Sequence, residues 1–155
     1  MEQMAKEFDG QAHFPFIYVR EAHPGELYPT LRSMEQKFTH ARDFREYGVK
    51  RDILVDSLYG RVHRRYGGVS NMTYIVDHTG HIVYRAAWTV ADDIKAALEE
   101  TLEMAARRRD GRNVSTYYRE QMGVHNSGPN QQFLGGKKAE EDFKHGREVV
   151  AKKQG

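Results

Sequence analysis

The sequence predicts an α/β or α+β domain with three layers and a mixed sheet. The first observation behind this prediction is that helical and strand patterns alternate along the first half of the chain. The second is a pair of strand patterns near the middle, joined by a tight turn. The chain has 155 residues, which suits one ordinary domain with a short extension.

The chain begins with a helical pattern followed by a strand pattern. Met1, Met4 and Phe8 recur at helical spacing, which predicts a short helix over residues 2–9. The run Phe14–Val19 is almost entirely apolar and contains aromatic and β-branched residues. Such a run is typical of a strand that is buried on both faces, as in parallel sheets.

A helix, a strand and a brief helix come next. Apolar residues at spacings of three and four predict a helix over residues 31–47, which Gly48 ends. The expected inward positions are Met34, Phe38, Ala41, Phe44 and Tyr47. Ile53–Val55 is predicted as a strand, and Ser57 as the cap of a helix over residues 58–66.

The clearest local pattern is a hairpin followed by a long helix. Met72–Val76 and Ile82–Ala86 flank the turn Asp77–Gly80, where glycine suits a positive φ. A strongly amphipathic helix is predicted over residues 91–108. Its apolar stripe consists of Ile94, Ala97, Leu98, Leu102 and Ala105.

After residue 110 the composition changes. Residues 112–136 mix aromatic residues with Gly, Asn and Ser, so we expect an irregular segment that wraps over the preceding domain. A final charged helix is predicted over residues 138–150. The predicted organisation is therefore a domain over residues 1–109 and a C-terminal extension with a short helix over residues 110–155.

Composition excludes several classes of function. The absence of cysteine removes disulfides, thiolate nucleophiles and cysteine-bound metals from this chain. A net charge of +2 gives no reason to expect nucleic-acid binding. We expect no cofactor and no metal, since His78 and His81 beside the turn lack further ligands at metal-site spacing. No membrane-length apolar stretch or signal peptide is found, so the expected location is cytoplasmic.

Glu21 and His23 are the candidate catalytic residues. They follow the predicted strand Phe14–Val19 and precede Pro24, at the edge of the sheet where open α/β domains bind ligands. Residues two apart on an extended chain share one face, so Glu21 is placed to orient His23 as a general acid or base. The alternative is structural: Glu21 pairs with an arginine and His23 caps the turn.

An ordered series of motifs resembles the thioredoxin-fold redoxins, most closely the bacterial proteins similar to iodothyronine deiodinases. The resemblance covers about residues 5–105 and is carried by Tyr18–Glu26, Val55–Gly60, Tyr66–Asp77, Gly80–Arg85 and Trp88–Thr89. It implies a thioredoxin-like fold and a site with a cysteine or selenocysteine that follows a central strand. That strand and nucleophile are missing here, and Ser70 stands where the family usually has a cis proline.

The resemblance supports two main hypotheses. In the first, the chain is a thiol-free redoxin-like module, a pseudoenzyme acting as an accessory or structural subunit, with a protein partner or a homo-oligomer. Either Phe14–Val19 then pairs with Met72–Val76, or another chain covers the open sheet. In the second, it is a deiodinase-like or peroxiredoxin-like oxidoreductase whose nucleophile-bearing N-terminus is absent. In both, Glu21 and His23 are vestigial or supporting site residues.

A third hypothesis is a ligand-binding domain that uses the vacated site. The residues expected to contact a substrate or ligand there are Ser70, Thr73 and Trp88. They complete the predicted set around Glu21 and His23.

Overall fold

A computed structural model describes residues 1–115, 117–122 and 135–154 of the chain. The described elements are α1 (Glu2–Glu7), β1 (Phe16–Tyr18), α2 (Met34–Glu46), β2 (Ile53–Val55), α3 (Arg61–Arg65), β3 (Thr73–Val76), β4 (Ile82–Ala86), α4 (Ala91–Arg109), β5 (Arg119–Gln121) and α5 (Lys137–Gln154). The protein is thus mixed α/β, and the predicted alternation of helices and strands is confirmed. No helix among these residues is both long enough and apolar enough to span a bilayer.

The chain forms two compact units. The hairpin unit consists of Met1–Phe14 and Val69–His125, and the parallel unit consists of Pro15–Gly68 and Asn126–Gly155. The division into residues 1–109 and 110–155 that the sequence predicts stays a prediction.

The hairpin unit contains a mixed sheet of three strands in the order β3-β4-β5. The predicted hairpin is confirmed: β3 and β4 are antiparallel, with Thr73 opposite Ala86. In the turn, the Asp77 carboxylate accepts hydrogen bonds from the backbone N–H of Thr79 (2.9 Å) and His81 (3.0 Å). These bonds hold the two strand ends together, and Gly80 takes the expected positive φ of 85°.

Helices α1 and α4 form the core of the hairpin unit with strand β4. The buried cluster consists of Met4, Phe8, Tyr84, Ala86, Ile94, Ala97 and Leu98. Met1 and Leu102 pack against it. The predicted apolar faces of the first helix and of α4 are therefore confirmed in the structure.

The parallel unit contains a second sheet, in which β1 and β2 are parallel with Phe16 opposite Ile53 and Tyr18 opposite Val55. Helix α2 packs on this pair through Phe44, whose ring centroid lies 5.4 Å from those of both Phe16 and Tyr18. The helix starts at Ser33, whose hydroxyl accepts a hydrogen bond from the backbone N–H of Gln36.

The buried face of α2 is a correction to the sequence prediction. Phe38 and Tyr47, predicted to face inward, are 46% and 62% exposed. Lys37 and His40 are buried instead, beside Ala41. The buried face of α2 differs from the predicted one because the Lys37 and His40 side chains find hydrogen-bond partners in the interior.

The sheets also differ from the prediction. The described strands form two small sheets rather than one mixed sheet, and β1 pairs with β2. The pairing of Phe14–Val19 with Met72–Val76, one of the two arrangements that the sequence left open, is not found among the described strands. Strand β1 has only three residues, and Ile17 is 37% exposed, so this strand is not buried on both faces.

Part of the C-terminal segment joins the hairpin unit. Strand β5 pairs in parallel with β4, with Tyr84 opposite Arg119, which no pattern in the sequence predicts. The Tyr117 hydroxyl donates to the Glu100 carboxylate at 2.5 Å, so this part of the segment packs on α4 as expected. The rest of the predicted irregular segment, residues 116 and 123–134, lies outside the described residues. The predicted final helix is confirmed as α5.

Candidate functional site

A buried ammonium group lies where β1 and β2 end. Lys37, on α2, has no exposed surface. Its Nζ donates to the carbonyl oxygens of Val19 at 2.6 Å and Ser57 at 2.9 Å. Burial lowers the pKa of Lys37, and the nearby Asp56 carboxylate opposes that shift. The Lys37 side chain therefore links, through hydrogen bonds, the chain segments that follow the two parallel strands.

Asp56 is the second buried charge in this region and is only 3% exposed. Its carboxylate accepts hydrogen bonds from the backbone N–H of Ser57 (2.7 Å), Val62 (2.9 Å) and His63 (2.9 Å). Burial by itself raises the pKa of Asp56, but these three donors and the Lys37 ammonium outweigh it, so the pKa is lowered.

Asp56 therefore anchors the start of α3, where Gly60 takes the left-handed conformation and gives no side-chain cap. The predicted cap Ser57 contributes as well, because its hydroxyl accepts from the Arg61 N–H at 2.9 Å. The negative carboxylate at a helix start is the favourable sign for the helix dipole.

Tyr18, Glu21 and His40 form a chain of three titratable side chains. The Tyr18 hydroxyl donates to the Glu21 carboxylate. It also lies 3.2 Å from His40 Nδ1, which is 3.6 Å from the same carboxylate. Burial raises the pKa of Tyr18, and the negative charge of Glu21 raises it further. Such a chain can pass a proton between a carboxylate and an imidazole through a hydroxyl.

A small cavity adjoins this chain. Its lining residues are Glu21, Tyr28, His40, Asp43, Phe44 and Tyr47, and the space, open solvent included, is about 200 Å³. The rings of Tyr28 and His40 meet edge to face, with centroids 4.9 Å apart. Burial raises the pKa of Tyr28 to about 12, helped by its hydrogen bond to the Asp43 carboxylate.

His23 lies half-buried in the turn after β1, against the final helix. Its ring meets that of Phe143 on α5 edge to face, with centroids 5.1 Å apart. Burial lowers the pKa of His23. The Glu26 carboxylate accepts from the backbone N–H of Lys137 at 2.7 Å and Lys138 at 3.1 Å, so the same turn caps α5.

Gly25 allows this turn to approach the start of α5 closely. A Cβ on Gly25 would lie 1.9 Å from the carbonyl oxygen of Gly135. Only glycine fits at this contact.

The predicted site residues are divided between the two units. Glu21 and His23 belong to the parallel unit, and Ser70, Thr73 and Trp88 to the hairpin unit. The contacts found for Glu21 are Tyr18 and His40. The expected role of Glu21 in orienting His23 therefore stays a prediction.

The hydroxyl residues of the hairpin unit have local partners. The hydroxyl oxygens of Thr73 and Thr89 lie 2.8 Å apart, and the Thr89 hydroxyl donates to the Asn71 carbonyl at 2.9 Å. Ser70 and Trp88 are half-buried. These hydrogen bonds connect the segment before β3 to the segment after β4. A ligand-binding role for Ser70, Thr73 and Trp88 stays a prediction.

Sequence reasoning missed four buried residues that make polar contacts in the parallel unit. They are Lys37, His40, Asp56 and Tyr18. One signal was present for α2, because Lys37 and His40 share a helical face with Ala41 and Phe44. In the part of the chain that the structure describes, no three His, Asp or Glu side chains are grouped to hold a metal ion.

Comparisons with protein-family models, with curated proteins and with solved structures gave no match for this chain.

The hydroxyl of Tyr18 gives a first testable prediction. The variant Tyr18→Phe keeps the ring beside Phe44 and removes the buried donor to Glu21. We expect the free energy of unfolding to fall by about 1–2 kcal/mol, since a buried acceptor is left without its partner. Urea denaturation measures this change. Tyr59→Phe is the control, because Tyr59 is 79% exposed. Equal effects of the two substitutions would contradict the prediction.

Proposed function

We propose that this chain is a thiol-free, thioredoxin-like module of deiodinase-like type that acts as a non-catalytic accessory or structural subunit. It binds a protein partner, most simply a second copy of itself. The motif resemblance and the mixed α/β architecture support the class, and the absence of cysteine supports the lack of redox catalysis. One observation carries the proposed binding role, namely an exposed apolar face on the sheet of the parallel unit.

This face consists of Ile17 on β1 and Leu54 on β2. The two residues are direct partners in the parallel register, and they are 37% and 52% exposed. Phe16 and Tyr18, which alternate with Ile17, contact Phe44 of α2. Parallel sheets are normally covered on both faces, so a partner that covers Ile17 and Leu54 completes an ordinary arrangement.

The polar groups at the end of this sheet support a structural role. Ligands of open α/β sheets usually bind beyond the carboxyl ends of the strands. At that position the Lys37 ammonium binds two backbone carbonyls, and the Asp56 carboxylate binds three backbone N–H groups. These charges hold the fold together, which favours an accessory subunit over a catalyst.

The prediction that tests the binding role is a loss of self-association in Leu54→Lys. We expect the chain to associate as concentration rises over about a hundredfold range, because a dimer is favoured by mass action. Leu54→Lys should keep the protein monomeric, since it puts a charge on the apolar face. Sedimentation velocity measures this. Leu27→Lys is the matched control, because Leu27 is 67% exposed in the same unit but lies outside the sheet.

Two results would contradict this prediction, and each excludes a different part of it. A monodisperse wild-type monomer over the whole range would contradict self-association. Equal weakening by Leu54→Lys and Leu27→Lys would mean that the association does not use the sheet face.

The second candidate is a deiodinase-like or peroxiredoxin-like oxidoreductase. The hydrogen-bonded chain of Tyr18, Glu21 and His40 favours it, because a redox site needs groups that handle protons. The 155 residues contain no thiol, so this function requires a cysteine or selenocysteine supplied from outside them. The reading frame upstream of Met1 tests this. A strand followed by a cysteine or TGA codon there would favour the enzyme, and thiol-type turnover by these 155 residues alone would contradict both candidates.

A further inference from the structure

We propose that a basic and aromatic surface around α3 binds single-stranded nucleic acid. This α3 surface consists of Tyr59, Arg61, Arg64, Arg65 and Tyr66, which are all exposed and belong to the parallel unit. It shares no residue with the exposed sheet face, so the two proposed binding roles are independent.

The positive charge of the α3 surface is concentrated on one side of the helix. Arg61, Arg64 and Arg65 are spaced three and four residues apart, which places them on one helical face. Residues 57–76 contain these three arginines and no aspartate or glutamate, whereas the whole chain has 24 basic and 22 acidic residues. The net charge of +2 therefore conceals a local positive patch.

The three guanidinium groups have no acidic partner in the part of the chain that the structure describes. No carboxylate there forms an ion pair with Arg61, Arg64 or Arg65. Arginines elsewhere do form ion pairs, namely Arg85, Arg107, Arg108 and Arg119. The charge of the α3 surface is therefore available to an anionic ligand.

The helix dipole explains only part of this arrangement. Arg64 and Arg65 lie in the last turn of α3, where a positive charge is favourable. Arg61 is the first residue of the helix, where a positive charge is unfavourable, and the first turn contains no acidic residue. Like charges three and four residues apart also repel each other. Phosphate groups relieve this repulsion, because arginine binds phosphate through paired N–H donors.

The α3 surface is held in place by contacts within the parallel unit. The Asp56 carboxylate and the Ser57 hydroxyl accept hydrogen bonds from backbone N–H groups of α3. The Arg64 guanidinium donates to the carbonyl oxygen of Tyr59. A guanidinium has five N–H donors, so Arg64 retains donors for a phosphate. A surface that is ordered before binding loses less conformational entropy when a ligand binds.

The two tyrosines favour a nucleic acid over an acidic protein as the partner. Tyr59 precedes α3 and is 79% exposed, and Tyr66 follows the helix and is 42% exposed. Proteins that bind single strands without sequence preference combine basic residues with aromatic side chains on which the bases stack. Carboxylates of an acidic protein would use the arginines but not the rings.

Fluorescence anisotropy of the full chain with a labelled oligouridine of about ten nucleotides tests the proposal. We expect saturable binding at low salt, with a dissociation constant on the order of 10–100 µM, as for non-specific binding. Each neutralised phosphate of a single strand contributes about −0.7 to the slope of log K against log salt, so three arginines predict a slope of about −2. Absence of binding, or a slope near zero, would overturn the proposal.

Two competitors identify the class of partner. A glutamate peptide of equal charge offers carboxylates without bases, and an abasic oligonucleotide of the same length keeps the phosphates but lacks the bases. We expect each to displace the labelled strand about fivefold less effectively than unlabelled oligouridine does, because stacking is lost. Equal displacement by the peptide would assign the surface to acidic proteins, and equal displacement by the abasic strand would exclude stacking. Either result would overturn the proposal.

A substitution in α3 tests the contribution of charge. Arg65→Gln should weaken oligouridine binding about fivefold at low salt and make the salt slope shallower by about 0.7, since one phosphate contact is lost. Arg42→Gln is the matched control, because Arg42 is exposed on α2 of the same unit. It should leave the affinity within about twofold. Equal weakening by the two substitutions would place the binding outside the α3 surface and overturn the proposal.

A second substitution tests the contribution of the rings. Tyr59→Leu should weaken binding about fivefold without changing the salt slope, since it removes a stacking face but no charge. Tyr47→Leu is the control, because Tyr47 is 62% exposed in the same unit but lies outside the α3 surface. Full affinity in Tyr59→Leu, or equal losses in both variants, would overturn the assignment of the bases to this surface.

Discussion

Replacing Lys37 with methionine is expected to lower the free energy of unfolding by about 3 kcal/mol. Methionine fills a similar length but donates no hydrogen bond, so the carbonyls of Val19 and Ser57 lose their donor. Asp56 also loses the nearby positive charge, and breaking a buried charge pair costs about 3–5 kcal/mol in other proteins. Urea denaturation followed by circular dichroism measures the change.

The control for Lys37→Met is Arg42→Met, on an exposed position of the same helix. It should change the free energy of unfolding by less than about 0.5 kcal/mol. If Lys37→Met were as mild as Arg42→Met, the two carbonyl contacts would not hold the sheet.

Alkaline pH gives a second measurement on the same variant. Burial lowers the pKa of Lys37 below 10.5 in the folded protein. At pH values between the folded and unfolded pKa of Lys37, the unfolded chain therefore binds more protons, and stability rises with pH. Tyr18 acts in the opposite direction: its pKa is raised above 10.0, chiefly by burial, so its contribution is lost as pH rises past that value. Without Lys37 we expect a steeper loss of stability on the alkaline side.

The second large effect is expected for Asp56→Ala, which removes the acceptor of three backbone N–H groups, two of them at the start of α3. We expect a loss of about 3 kcal/mol, because charged hydrogen bonds and helix caps each contribute on the order of 1–2 kcal/mol. Asp56→Asn keeps a neutral acceptor and should lose about half as much. Asp52→Asn is the matched control, since Asp52 is exposed just before β2.

Acid denaturation tests the charge of Asp56 directly. Burial raises its pKa, but the three N–H donors and Lys37 lower it below 3.8 in the folded protein. Its stabilising contribution is therefore complete above pH 3.8 and is lost as pH falls through the folded pKa. We expect the stability of Asp56→Asn to fall less than that of the wild type across this window. Equal slopes would contradict a charged Asp56 in the folded state.

The hairpin unit was largely predictable because its signals are local. The turn Asp77–Gly80 contains both the side-chain acceptor and the glycine that the hairpin needs. The spacing of Ile94, Ala97 and Leu98 alone places them on one buried face of α4. The spacing of apolar residues was sufficient to predict the buried faces of this unit, because each apolar face can be buried in only one simple arrangement.

Strand β5 was not predictable for the opposite reason. Arg119–Gln121 is a fully polar segment with no alternating pattern. It becomes a strand because β4 offers an open edge, with Arg85 and Glu120 as an ion pair at 3.0 Å between the two strands. Its secondary structure depends on a partner more than thirty residues away in the sequence.

The candidate site was predictable only in part. The sequence by itself determined that Glu21 and His23 lie in a turn after a strand, and that no thiol is present. Only the tertiary structure decided that Tyr18 and His40 are the contacts of Glu21.

Helix α2 shows the physical reason for this division. Its apolar spacing specified a helix, but which face is buried depended on the carbonyls of Val19 and Ser57, which offer Lys37 its acceptors. A buried charge is stable only where remote parts of the chain supply its partners. In α2, local spacing therefore determined the helix, and long-range polar contacts decided which of its faces is buried.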